Sequence, residues 1–208
     1  MKTLPPNHDE LHAHTSHEAR WAQLGQRPAI AWLTGLPGAG KTTIGEAVYR
    51  ELTAKGRHVF LLDGDSLRHG LCSDLGFSVA DRAENVRRTA EVARLMGLAG
   101  LVVVVALISP SQADRTNART LVGDLPFLEV FVDTSPAVCE ARDPKGLYAR
   151  ARAGEIALFT GVSARYEPPE SPDLILPTQD LTIDAAAAPL CAKLLQLSEG
   201  SRASSPVA

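Results

Sequence analysis

The chain has 208 residues, 45% of them hydrophobic, which suffices for one α/β domain with a sizeable core. Its 21 Lys and Arg are outnumbered by 24 Asp and Glu, a formal net charge of -3, which argues against a generic nucleic-acid binder. The longest apolar run, Leu98 to Ile108, contains Gly100 and is too short to span a membrane, and the polar amino terminus has no apolar secretory segment.

In chain order, residues 1–27 are polar, end at Arg27-Pro28, and are expected to form an extension packed on or near the domain. Within it His8, His12, His14 and His17 have a spacing a metal could use, but no other ligand lies nearby, and a solvated arm is the simpler reading. The domain proper is expected over 28–197, with 198–208 a small, polar, disordered tail. The apolar run Ala29–Thr34 reads as a buried strand. Gly35-Leu-Pro-Gly-Ala-Gly-Lys-Thr-Thr43 follows and completes the pattern G-x-x-x-x-G-K-S/T, and 42–55 is helix-like. Strand, Gly-rich loop and helix make a nucleoside triphosphate site. The glycines let backbone N–H groups approach phosphate oxygens, and the helix start adds unsatisfied donors and the positive end of its dipole. Lys41 would reach the β- and γ-phosphates and Thr42 would help hold Mg2+. Pro37 lacks an N–H and stiffens the loop without donating to it.

Further apolar runs at 58–62, 101–108, 127–132 and 173–176 read as strands; the third strand in chain order, 101–108, has no polar alternation and suits a central parallel position. Helix-like segments at 82–99, 111–122, 135–142 and 184–197 alternate with them, so the fold class is α/β, a P-loop NTPase-type three-layer fold with a central parallel sheet and helices on both faces. Ligands should gather at the carboxyl ends of the strands. Asp63 and Asp65 flank Gly64 at one such end, where a carboxylate can orient a hydroxyl or hold Mg2+; which does which stays open. The Gly- and Pro-rich stretch 143–172 is long for a connector and fits a lid. Cys72, Cys139 and Cys191 fit neither a disulfide framework nor a zinc pattern, and a reducing cytoplasm is the simplest setting.

A set of motifs narrows the class. Leu62-Asp-Gly-Asp-Ser-Leu-Arg-His-Gly70 is followed by Leu75-Gly-Phe-Ser-Val-Ala-Asp-Arg-Ala-Glu-Asn-Val-Arg-Arg88 and Ile108-Ser-Pro110. Arg142-Asp-Pro-Lys-Gly-Leu-Tyr148, Ala151-Arg-Ala-Gly-Glu-Ile156, Phe159-Thr-Gly161 and Tyr166-Glu-Pro-Pro169 complete the order. Across roughly 28 to 197 this string resembles the adenylylsulfate kinase (APS kinase) family. The resemblance implies an ATP-dependent phosphotransferase that converts adenosine 5'-phosphosulfate (APS) to 3'-phosphoadenosine 5'-phosphosulfate (PAPS), the second activation step of sulfate assimilation. It implies ATP binding by Gly35, Gly38, Ala39, Gly40, Lys41, Thr42 and Thr43 with Arg142 and Lys145, and Mg2+ held through Thr42 and Asp63. APS would be bound by Asp65, Arg68, Phe77, Arg82, Asn85, Ile108, Ser109, Lys145 and Phe159, and catalysis would rest on Lys41, Asp63, Asp65 and Ser109. Guanidinium groups suit the phosphosulfate and Phe77 an adenine face, while Phe159 is as well explained as a core residue. Arg87 is open between site and solvated helix face.

In similar enzymes the residue matching Ser109 binds substrate and in some becomes phosphorylated. A phosphoserine intermediate is one reading; direct in-line transfer is preferred, because bound ATP and acceptor need no covalent relay. The resemblance also implies a homodimer working beside a separate ATP sulfurylase, with no nucleic-acid or membrane partner. The chain departs from the family at Pro37, where Ser is common, at Ser66, where Asn is common, and at Ser111-Gln112, where an aromatic or His and then a basic residue are usual. Kinases for other small acceptors share Gly35–Thr43 but not the later motifs, and a guanine-dependent switch would need an Asn-Lys-x-Asp signature that is absent.

Overall fold

Apolar continuity decides the sheet. In the computed structural model, which describes residues 16–179 and 181–199, five strands run parallel: β1 (Ala29–Thr34), β2 (Val59–Asp63), β3 (Val102–Ala106), β4 (Phe127–Asp133) and β5 (Leu174–Pro177). Their order is β2-β3-β1-β4-β5, and every residue of β1 and β3 is buried, as central parallel strands require. The register sets Leu33 and Asp63 level with Ala106, and Thr34 level with Phe131. The carboxyl ends of four strands therefore open onto one rim, the expected place for a ligand.

Each face of the sheet is covered by helices. On one side Ala31, Leu33 and Val104 pack with Ile44 and Val48 of α2 (Lys41–Ala54) and Leu190 and Leu194 of the carboxyl-terminal helix 183–198. On the other, Ile30, Trp32, Val103 and Val105 meet Val86 and Ala90 of the helix 79–98 and Ala118 of the helix 112–122. Each buried Val, Leu or Ile side chain among them contributes roughly 1.5–3 kcal/mol of burial. The three-layer α/β arrangement is the one the sequence predicts.

The remaining elements show where periodicity was insufficient. In chain order the helices are α1 (His17–Leu24), α2, α3 (Gly64–His69), α4 (Val79–Leu98), α5 (Gln112–Val122), α6 (Pro136–Arg142), α7 (Leu147–Arg152) and α8 (Ile183–Ser198). α1 lies in the stretch read only as a polar extension: Ser16 caps its start, Gly25 ends it, and the His17 and Trp21 ring N–H groups both donate to the Leu98 carbonyl at 3.2 Å. Thus His17 packs on the domain, while His8, His12 and His14 lie outside the described residues, as does the tail from 200. Ser198, placed in the tail by the sequence, ends α8 and accepts a hydrogen bond from the Arg27 N–H at 3.2 Å. α4 begins three residues before 82 because Ser78 and Asp81 form a reciprocal capping box. No helix among the described residues is long and apolar enough to cross a membrane.

Candidate active site

The loop between β1 and α2 has the shape its glycines permit. A Cβ on Gly35 would lie 2.7 Å from the Val132 carbonyl oxygen, and one on Gly38, whose φ is +77°, would lie 2.9 Å from that of Cys139. The loop is thus pressed against β4 and α6 at two points where only hydrogen fits. α2 starts at Lys41 behind Gly40, with no side chain capping its first turn, so those N–H groups face the rim. Lys41 is buried and folds back, donating to the Gly35 and Leu36 carbonyls at 2.9 and 2.8 Å. Burial pushes its pKa down to about 8. The Ala39 carbonyl accepts from the hydroxyls of Thr134 and Thr178, both at 3.1 Å, and Arg142 donates to the Thr178 carbonyl at 2.7 Å. Arg142 therefore stands on the β5 side of the loop, away from the β2 end. Thr43 is exposed in the first turn of α2.

The two carboxylates have separate engagements. Thr42 Oγ1 donates to Asp63 Oδ2 at 2.7 Å, while Asp63 Oδ1 accepts from the Asp65 and Ser66 N–H groups and so caps α3. A hydroxyl beside a carboxylate is a set of hard oxygen donors of the kind Mg2+ takes. Asp65 points outward from α3 and pairs with Lys145, which reaches over from the 143–172 stretch. Among the described residues no cluster of three or more His, Cys, Asp and Glu could bind a metal without help.

Beyond Asp65 lies a basic and aromatic wall. The Arg68 guanidinium sits 4.3 Å over the Phe77 ring, which is 57% exposed and so presents a free aromatic face. Arg82 donates to the Phe77 carbonyl at 3.0 Å, to Thr160 Oγ1 at 2.8 Å and to the Leu158 carbonyl, joining the start of α4 to the 158–160 segment. Asn85 is 2% exposed and its amide N–H2 has no partner among the described residues, an unusual deficit for a buried donor. Ile108 and Ser109 leave β3 at the rim. Ser109 is buried and left-handed, with φ +38°, and its Oγ accepts from Trp32 Nε1 at 3.0 Å. Phe159 packs edge-on against Tyr148 at 5.0 Å in the core, the second of its two readings. Arg87 pairs with Glu84 and Glu91 on the solvated face of α4.

Three supporting side chains were not legible as such. The Tyr148 hydroxyl donates to the Pro37 carbonyl at 3.0 Å, so the loop proline takes part through its acceptor. Trp32 anchors Ser109, and Arg115 is buried against Glu129. The only sequence signal for the last pair is a glutamate in the middle of the apolar run 127–132.

Comparison with known proteins follows the same lines. Residues 27–177 match the adenylylsulphate kinase family. The chain is 53% identical over 184 residues to the adenylyl-sulfate kinase of Vibrio cholerae, covering 88% of this chain and 86% of that one. It is similar to the solved Mycobacterium tuberculosis APS kinase CysC in complex with AMPPNP and APS, with a TM-score of 0.79 and 50% identity over 82% of this chain and 98% of that one. It also resembles a hexameric APS kinase from Thiobacillus denitrificans, with a TM-score of 0.62 and 30% identity over 83% of this chain and 30% of that one.

Proposed function

The chain belongs to the adenylylsulphate kinase family, and from that premise we propose how its residues divide the reaction ATP plus APS to ADP plus PAPS. One observation carries the reading. Asp63 accepts from Thr42 at the end of the phosphate loop, Asp65 stands one turn of α3 before Arg68, whose guanidinium covers Phe77, and the orphaned Asn85 amide stands one turn of α4 after Arg82. ATP lies along Gly35–Thr43, its base toward Arg142, with Lys41 and the N–H groups of α2 on the phosphates. Thr42 and Asp63 would hold the Mg2+ that accompanies ATP, which would supply neutralisation of charge on the phosphate oxygens.

APS takes the other side. Its adenine lies on Phe77, its phosphosulfate faces Arg68 and Arg82, and Asn85 gives its unpaired N–H2 to the acceptor. Asp63 is occupied with Thr42 and the cap of α3, which fits the metal-linked role. Among the described residues the Asp65 carboxylate pairs with Lys145 alone, and it fits the group that orients the 3'-hydroxyl and takes its proton as its oxygen attacks the γ-phosphorus. The bond to the β-phosphate oxygen breaks, ADP leaves, and Asp65 returns the proton to solvent. Lys145 exchanges Asp65 for phosphate as the 143–172 stretch closes and excludes water. Direct transfer is favoured over a phosphoserine at Ser109, whose hydroxyl is buried and engaged by Trp32.

The test is ADP release from Mg2+·ATP with and without APS, with the second product identified. APS-dependent ADP matched by PAPS is the expected result; ATP binding without APS-dependent turnover would overturn the reading. Near-normal turnover by Ser109→Ala is expected of direct transfer, and capture of a phosphorylated wild-type Ser109 on the turnover timescale would restore the covalent route. We also propose a cytoplasmic homodimer supplied with APS by a separate ATP sulfurylase. Light scattering checks the assembly, and a monomeric mass or a hexameric one like that of the T. denitrificans relative's name would replace it.

A further inference from the structure

Arg115 lies behind the Ser109 turn, and each nitrogen of its side chain, 1% exposed, donates to a neighbouring group. Its Nε donates to Glu129 Oε1 at 2.7 Å, its Nη1 to the Ser109 carbonyl at 2.8 Å, and its Nη2 to Gln112 Oε1 at 2.6 Å and the Glu167 carbonyl at 2.8 Å. Two of these partners are backbone carbonyls on separate segments, the exit of β3 and the segment that follows Phe159. The same segments are stitched again by the Glu167 N–H on the Pro110 carbonyl at 2.9 Å and by the Gln112 N–H on Glu167 Oε2 at 2.8 Å. Next to them the Tyr166 hydroxyl donates to Thr34 Oγ1 at 2.9 Å, and Thr34 donates to the Ile108 carbonyl at 2.7 Å.

Stability alone is a weak reason for such a pair. A buried Arg–carboxylate loses much of its attraction to desolvation, and apolar residues of similar volume commonly serve as well or better. What apolar residues cannot do is hold two carbonyls at fixed spacing, which a planar guanidinium does. Ser109 needs such a hold, because a left-handed backbone at a residue with a Cβ is disfavoured unless its surroundings impose it.

We propose that Arg115, with Glu129 as its counter-ion, is a positioning residue for the acceptor half of the reaction. It fixes the Ile108–Pro110 turn against residues 166–167, so that APS meets a wall already in place and the stretch 158–167 is anchored at its far end. The assignment rests on the proposed function, and on the expectation from the family resemblance that Ile108 and Ser109 bind APS.

The test compares wild type with Arg115→Lys, Glu129→Gln and the double variant R115M/E129M, measuring thermal unfolding and the KM for APS and for ATP separately. Positioning predicts that the double variant stays folded and that its KM for APS rises by about tenfold or more, the loss of charge-assisted hydrogen bonds, with the KM for ATP changed less than about twofold. Arg115→Lys, which keeps the charge and loses the fork, should show the same split, whereas Glu129→Gln, which keeps the fork, should stay within about threefold of wild type. If the double variant does not fold, the comparison of Arg115→Lys with Glu129→Gln decides alone. Wild-type KM for APS in folded Arg115→Lys, with or without a lowered unfolding temperature, would overturn the proposal and leave the pair a core feature. Absence of APS-dependent turnover in the wild type would instead remove the premise.

Discussion

Lys41 holds its charge where burial disfavours one. Its pKa is pushed down to about 8 by desolvation, and among the described residues its ammonium donates to the loop carbonyls of Gly35 and Leu36. The cation is the form that binds phosphate, so it is present below about pH 8 and lost above. We expect kcat/KM for ATP to fall above about pH 8, approaching tenfold per pH unit, in a pH profile taken at saturating APS. Stability moves the other way. Between about 8 and the ordinary lysine value the unfolded chain binds the proton that the folded chain has released, so this group's contribution makes unfolding harder as pH rises. Urea midpoints from pH 8 to 10 should therefore rise more, or fall less, in wild type than in Lys41→Met, and equal slopes in the two would contradict the burial argument. Lys41 and Thr42 could be singled out in the sequence because the phosphate-loop pattern fixes their spacing, and Asp63 because it closes a strand. Trp32, Arg115 and Tyr148 could not, since Trp32 reaches Ser109, Arg115 the Glu167 carbonyl and Tyr148 the Pro37 carbonyl, groups distant in sequence that no motif records.

Secondary-structure elements carry the site as rigid pieces, and their ends matter more than their middles. α4 begins with the Ser78–Asp81 box directly beside Phe77 and Arg82, so the cap that starts the helix also aims the wall proposed to take APS. Ser78→Ala should cost about 1 kcal/mol in urea unfolding. Because fraying would loosen Phe77 and Arg82, it should also raise the KM for APS while sparing that for ATP. α7 offers the complementary case. Asp143 accepts from the Tyr148 and Ala149 N–H groups at 3.1 and 3.0 Å, and Tyr148 then reaches the Pro37 carbonyl. Tyr148→Phe should destabilise by about 1–2 kcal/mol, since it leaves a buried carbonyl unpaired, and its kinetic effect should fall on ATP, whose loop it supports. The long strands and helices were legible from apolar runs, but α3 and α7, six residues each, have too few turns to show a period and are set by Asp63 and Asp143 at their starts. Ser-Val-Ala-Asp did announce the true start of α4, a signal that apolar periodicity alone overlooks.

At the scale of the whole molecule the sheet has a working end and a holding end. Gln26, 1% exposed, donates from its amide to the His58 carbonyl at 3.0 Å and the Gly100 carbonyl at 2.7 Å, and accepts from the His58 N–H at 2.8 Å. One side chain thereby joins the residues that lead into β1, β2 and β3 at their amino ends. Beside it, α1 closes over Gly100, where an added Cβ would lie 2.6 Å from Leu24 and 3.1 Å from Trp21. The parallel sheet puts all of this a strand length away from the phosphate loop. Gln26→Ala should accordingly lower stability by about 2–3 kcal/mol, through buried carbonyl and N–H groups left without partners. It should leave the KM for ATP and for APS within about twofold of wild type when assayed well below its unfolding temperature. The contrast with Arg115→Lys is the informative one. Both variants disturb a buried polar side chain that bridges separate segments, but only Arg115 sits behind the substrate rim. If Gln26→Ala shifted the KM for APS as strongly as Arg115→Lys, general loosening of the sheet rather than local positioning would govern acceptor binding. A stability loss confined to Gln26→Ala, with a KM shift confined to Arg115→Lys, would mean that fold and site are held by separate polar networks at opposite ends of the same strands.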